Sequence, residues 1–286
     1  MQVAGCHGWL AQQCRGAWSF ALCLSLLIVT ALFAGGCKTL DPSNQRDWAP
    51  DQALLPQATL EGDQVHIRNV RNCRYLSEDE FVLDYYDKTV RLSDLQTVDF
   101  VMVPFAEVPS LAHTMLSFGF ADDYHLAVSV EIRRERGESF AIWKGLARQY
   151  ELMYVVGDER DLIKLRTHHR LDDVYVYRAK ATPEQARALL VDVLGRANKL
   201  AVEPEFYHGL WNNCTTNIAS HINRISPNRV PYGVQVLLPG YSDRLAYDLG
   251  LLETDAPFPF ARQQARVNEL AYRARGDENF SAAIRR

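Results

Sequence analysis

Cys214 stands in the stretch Trp211-Asn212-Asn213-Cys214-Thr215-Thr216-Asn217-Ile218, ahead of an apolar-periodic run at Ile218, Ile222 and Ile225. That pattern predicts a helix start with Asn212 or Asn213 as its cap. A cysteine in the first turn lies among unpaired backbone N–H groups at the positive end of the helix dipole, which favours a thiolate. Such a thiolate is a plausible nucleophile. The plainer alternative is a buried structural cysteine or half of a disulfide. A thiol nucleophile also needs a base and a group that holds the base in the right tautomer. His113 is the candidate base. His221 shares the cysteine's helix but lies two turns on, roughly 10 Å along the axis.

The third member follows from a hairpin. Residues 111–120 and 124–132 read as two strands joined at Ala121-Asp122-Asp123. With the turn centred on Asp122, Glu131 faces His113 on the same side of the sheet, with Cβ atoms about 5 Å apart. Glu131 is therefore the expected orienting acid, with Ser129 as the fallback if the register slips by two. Glu131 could instead pair with an arginine of the charged strand end at 133–136. His125 falls roughly 20 Å along the strand from His113 and is set aside. An oxyanion would be received by the Cys214 N–H with an Asn213 or Asn212 side-chain amide. No spacing of His, Cys, Asp or Glu suggests a metal site, and no cofactor is implied.

Charge narrows the partners. The 31 Lys and Arg nearly balance the 35 Asp and Glu, and no basic block is present, so no nucleic-acid partner is expected. Four of the six cysteines (6, 14, 23 and 37) lie in the N-terminal leader, which rules out a disulfide scaffold. A nearly uncharged apolar run at 17–33, then Ala34-Gly35-Gly36-Cys37, matches a secretion signal. The Cys after Ala-Gly-Gly resembles the lipobox of bacterial lipoproteins, in which that cysteine carries lipid; an uncleaved membrane anchor is the alternative. Lys38 next to it resembles lipoproteins sent to the outer membrane. The expected organisation is a signal peptide at 1–36, a lipid-anchored tether at 37–62 and one α+β domain at 63–286.

Alternation at 65–70, an apolar run at 98–105 and Val174-Tyr175-Val176-Tyr177 predict further strands. Residues 81–92 read as a strand pair or a strand with a turn at Asp87-Lys88. Thr182-Pro183-Glu184-Gln185 opens a helix running to about 200, with a capping box. Short helical stretches are expected at 143–152 and 159–167, and one longer helix at 260–275. His168 and His169 are expected to face water.

Ala112-His113-Thr114, Ser129-Val130-Glu131-Ile132-Arg133, Asn213-Cys214-Thr215-Thr216 and Leu238-Pro239-Gly240-Tyr241 together resemble the Lnb N-terminal periplasmic domain, found in largely uncharacterised bacterial envelope proteins. The likeness covers about 65–255. A strand histidine, a polar partner on the next strand and a later Asn-Cys opening a helix are also similar to the permuted papain-like group. That group includes NlpC-type and lecithin:retinol acyltransferase-type proteins. The resemblance implies an antiparallel sheet packed against a helix that carries the cysteine at its N-terminus. It further implies a cysteine hydrolase or acyltransferase acting on amides, peptides or lipid esters. The acyltransferase type has a histidine as third member, where geometry here points to an acid. In the envelope, the substrate could be a peptidoglycan peptide, a protein or a lipid. The competing expectation is a non-catalytic envelope lipoprotein that binds a partner or ligand, in which Cys73 and Cys214 form a disulfide.

Overall fold

The computed structural model describes residues 41–139, 141–226, 229–276 and 279–285, so the leader and Cys37 lie outside the described residues. The chain is mixed α and β, built on one large, mostly antiparallel sheet. In order come β1 (Gln57–Glu61), β2 (Gln64–Arg71), β3 (Arg74–Tyr75), β4 (Phe81–Val82), β5 (Tyr85–Arg91), β6 (Leu95–Pro104), β7 (Ala112–Phe120) and β8 (His125–Arg133). Helix α1 (Ile142–Leu146), β9 (Glu151–Asp158), α2 (Glu159–Lys164), a π-turn over Leu165–His169 and β10 (Tyr175–Arg178) follow. The remainder is helical: α3 (Pro183–Val202), α4 (Cys214–Ile225), α5 (Val234–Leu237), α6 (Ser242–Asp248), α7 (Phe258–Ala265), α8 (Asn268–Arg273) and α9 (Phe280–Ala283). Strands run β1-β2-β9-β8-β7-β6-β10 across the sheet, with β5 on β2; among the described residues only the β2–β9 contact is parallel.

The central strands are buried on both faces, which splits their side chains between two cores. Phe100, Leu116, Phe118, Val128, Val130 and Tyr154 point one way and pack under α3 and α4. Val101, Met115, Ala127, Met153 and Val155 point the other way and pack under α2, α8 and α9. Helix α3 begins where its capping box predicts: Thr182 and Gln185 satisfy each other's backbone N–H, and Pro183 fills the first turn.

Several expectations are corrected. Residues 42–62 are part of the compact unit that starts at Pro42, not a free tether. Trp48 is buried under the Arg133 guanidinium, whose N–H groups also bond the carbonyls of Gln52 and Ala53, and β1 adds a strand to the sheet. The Pro-rich composition suggested a linker, but an anchoring tryptophan and arginine outweigh it. No turn occurs at Asp87-Lys88, which lie inside β5. The helix expected at 260–275 is two helices that break at Arg266–Val267, where the Val267 N–H bonds the Val174 carbonyl instead of continuing the helical ladder. His168 is half-buried beside Phe280 rather than facing water.

Two glycines separate packing from propensity. A Cβ on Gly240 would stand 2.0 Å from the Pro109 carbonyl oxygen, whereas one on Gly195 of α3 meets nothing within 4 Å. Gly240→Ala should cost about 1–3 kcal/mol through overpacking of immovable backbone. Gly195→Ala should stabilise by about 0.8–1 kcal/mol through helix propensity. Thermal unfolding of both variants against the wild type will show opposite shifts in Tm.

Candidate functional site

Asn213 is the cap of α4. Its Oδ1 accepts from the Thr216 N–H (2.9 Å), and the Thr216 hydroxyl accepts from the Asn213 N–H (2.9 Å). Cys214 is therefore the first helical residue, and its own N–H has no acceptor inside the helix. The side chain is 5 % exposed and looks toward the sheet. Its sulfur lies 4.0 Å from the Ala112 carbonyl oxygen at the start of β7 and 3.8 Å from the Thr215 hydroxyl. Thr215 in turn bonds Thr114 Oγ1 (3.1 Å), so two hydroxyls pin the helix start to β7. Burial, reinforced by nearby Cys214, keeps the Tyr207 phenol protonated.

The asparagine amides are engaged elsewhere. Asn213 Nδ2 donates to the Gly209 carbonyl (2.7 Å), while Asn212 Nδ2 donates to the Phe206 carbonyl (2.9 Å) and Glu205. Asn217 Nδ2 closes the group by donating to Asn212 Oδ1 (3.0 Å). Both expected oxyanion amides thus brace the loop before α4, and the hydroxyl beside the sulfur is that of Thr215.

Strands β7 and β8 pair with residue numbers summing to 244, as in Met115 with Ser129 and Ser117 with Ala127. Glu131 therefore stands opposite His113. His113 Nε2 is 2.7 Å from Ser129 Oγ, Ser129 Oγ is 2.8 Å from Glu131 Oε1, and Nε2 is 3.8 Å from that carboxylate. Arg166, from the π-turn, places Nη2 3.4 Å from Glu131 Oε1. The arginine beside Glu131 is Arg166, not one of the strand end at 133–136. An ionised carboxylate only accepts, so the Ser129 hydroxyl donates to Glu131 and receives the His113 Nε2–H. The lone pair then sits on Nδ1, which has no hydrogen-bond partner among the described residues.

Burial, together with the Arg166 cation, pushes the His113 imidazolium down to about 3. Burial opposes ionisation of Glu131, but the His113 ring, Arg166 and Arg71 around it hold its carboxyl below the ordinary range. The chain thus holds a neutral imidazole oriented through a serine by a carboxylate. Arg166 was invisible to local patterning, because it lies in a charged stretch that reads as solvated. Its Nε is a buried donor without an acceptor among the described residues.

His113 and Cys214 meet the sheet from different sides. Ala112 and Thr114 belong to the face under α4, whereas His113 shares the opposite face with Val103, Met115 and Ser129. The sulfur touches the backbone of the residue before His113, and neither of its polar contacts is to the imidazole. Both groups lie at the same end of β7, of which His113 is the second residue.

The other thiol is separate. Cys73 and Cys214 are both free, so the disulfide of the competing expectation is not formed. Cys73 instead gives its N–H to Asp161 Oδ2 (2.8 Å) on α2, and burial with that carboxylate pushes its thiol up to about 12. His221 also has an unrelated role. Buried under α4, it bridges Tyr154 OH (2.7 Å) and Asp192 Oδ2 (2.5 Å). Among the described residues no group of His, Cys, Asp or Glu could hold a metal ion.

Because the folded His113 titrates near 3 and an unfolded imidazole near 6.5, the unfolded state binds the extra proton between those values. Stability therefore falls as pH drops from about 6.5 toward 3. Chemical unfolding of the wild type and His113→Gln between pH 7 and 5 should show a steeper loss in the wild type. Ring 15N shifts should show a neutral Nε2–H tautomer throughout that range. A ring that protonates near pH 6 would contradict the burial argument.

No curated protein and no solved structure matches the chain. Among the described residues no helix is long and apolar enough to cross a membrane. The profile of the Lnb N-terminal periplasmic domain matches residues 82–240, which include the strands of the His113 hairpin, the start of α4 and the Gly240 turn. The chain belongs to the Lnb N-terminal periplasmic domain family and is an envelope protein with its domain in the periplasm.

Proposed function

We propose that the protein is a membrane-tethered thiol acyltransferase or hydrolase of the permuted papain-like kind, drawing on a lipid ester. The observation that carries this reading is the position of the free Cys214 at the edge of an apolar chamber. Thr215, the next residue, lines a cavity of about 650 Å³ whose wall includes Phe100, Leu116, Leu189, Ile218 and Ile222. Lys180 and Glu253 are the only charged residues among the described residues of that lining. A space of this size and lining suits an acyl chain better than a peptide, since a peptide backbone would lose hydrogen bonds there.

In this reading the Cys214 thiol attacks the ester carbonyl and its proton passes to His113 Nδ1. The Cys214 N–H at the helix start receives the oxyanion. Collapse breaks the C–O bond, and the alkoxide takes the proton back as an alcohol, leaving a thioester on Cys214. Water or an amine then attacks the thioester, releasing acid or amide and restoring the thiol. Ser129 and Glu131 set the Nε2–H tautomer of the resting ring, which leaves Nδ1 as the base. His113 is the second residue of β7, and the step requires its ring to leave the opposite face and come round that strand end to the sulfur. Cys37, in this reading, carries lipid and holds the domain at the periplasmic face of the outer membrane, beside such substrates.

A second reading is an apolar-ligand carrier without chemistry. The placement of the His113 ring across the sheet from Cys214 favours it.

Incubation with a short-chain aryl ester or a phospholipid, followed by acid quench and intact mass, decides between them. The wild type should gain an acyl mass that hydroxylamine removes. Cys214→Ser and His113→Ala should each lower turnover by roughly 10³-fold or more, while Cys73→Ser leaves it unchanged. A carrier would bind a fluorescent fatty acid equally in all variants and never form a thioester.

A further inference from the structure

A second cavity lies on the other side of the sheet, under the β3–β4 ribbon and α2. Its volume is about 350 Å³, and its lining includes Arg74, Tyr75, Arg160, Lys164, His169 and Arg275. No carboxylate belongs to the described lining. Arg160 is matched by Asp158 (3.2 Å). Lys164 donates to the Arg275 carbonyl oxygen (2.7 Å), which leaves its charge in place, and among the described residues Arg74 and Arg275 form no ion pair. The resulting field is felt locally: burial and the neighbouring Arg160 cation lower Lys164, and burial and Lys164 lower His169.

One further group points to a ligand. The Tyr75 hydroxyl is buried and has no hydrogen-bond partner among the described residues. Tyr75 lines the same cavity as the three cations, while the charges that act on its hydroxyl are those of Arg71 and Asp161. Collected donors of this kind match the several oxygens and double charge of a phosphate ester better than a single carboxylate. Cys73 forms part of the same wall, but its raised thiol stays protonated and adds no charge.

We propose that this basic cavity is a binding site for a phosphate group, from either a soluble phosphate ester or a phospholipid headgroup. It shares no residue with the Cys214 chamber, so it stands or falls independently of the acyl-transfer reading.

The test uses the full mature protein in detergent, titrated with inorganic phosphate and with glycerol phosphate at constant ionic strength set by chloride. A saturable rise in Tm is expected with both. Arg74→Gln/Arg275→Gln, which removes two cations without an ion pair among the described residues and should leave the fold intact, should weaken the apparent Kd at least tenfold. Flotation with phosphatidylglycerol and phosphatidylcholine vesicles separates the sources. Vesicle binding competed by phosphate and lost in the double variant assigns a headgroup, whereas phosphate binding without vesicle dependence assigns a soluble ester. Absence of phosphate binding overturns the proposal. Binding equal in wild type and double variant also overturns it.

Discussion

The pleat of the β7–β8 hairpin is the constraint on which the rest of this structure depends. Side chains on a strand alternate, so once the turn at 121–123 sets the pairing, each residue is committed to one of the two cores. Leu116, Phe118 and Val128 go to the helix pair that carries Cys214, and Met115 and Ala127 to the opposite helices. The same rule gathers His113, Ser129 and Glu131 on one face and gives Ala112 and Thr114 to α4. A slip of one residue would exchange the two sets and bury a carboxylate in the chamber wall.

Burial on both faces brings charges into the interior, and several of them are matched by opposite charges. Asp99 and Glu159 are fully buried and share the Arg285 guanidinium, which ties the last helix to β6 and α2. Arg71 and Asp161 form a second such pair, with Asp161 also holding the Cys73 N–H. Removing one partner of such a pair leaves an uncompensated buried charge, so these contacts specify the arrangement more than they stabilise it. The Glu131–Arg166 contact belongs to the same class, and burial together with its arginine makes His113 reluctant to charge.

The two cavities divide along the same sheet. One is apolar and lies under α3 and α4; the other is basic and lies under α2. The sheet keeps the two environments apart, so a buried cation does not disturb the apolar chamber.

Local chemistry in the sequence determined the Asn-capped start of α4, the capping box of α3, the hairpin register and hence the facing of His113 and Glu131. These depend on residues close along the chain or on one turn, so period and cap residues suffice. The break between α7 and α8 and the docking of residues 42–62 depend instead on partners more than 80 residues away, Val174 for the first and Arg133 for the second. Only the tertiary structure decided that Arg166 joins Glu131, that Cys73 and Cys214 stay apart, and that an apolar chamber opens beside Thr215. It also set His113 and Cys214 on opposite faces at one strand end. Spacing assigns a face to each strand residue, but it says nothing about which face a helix that starts 102 residues after Ala112 will cover.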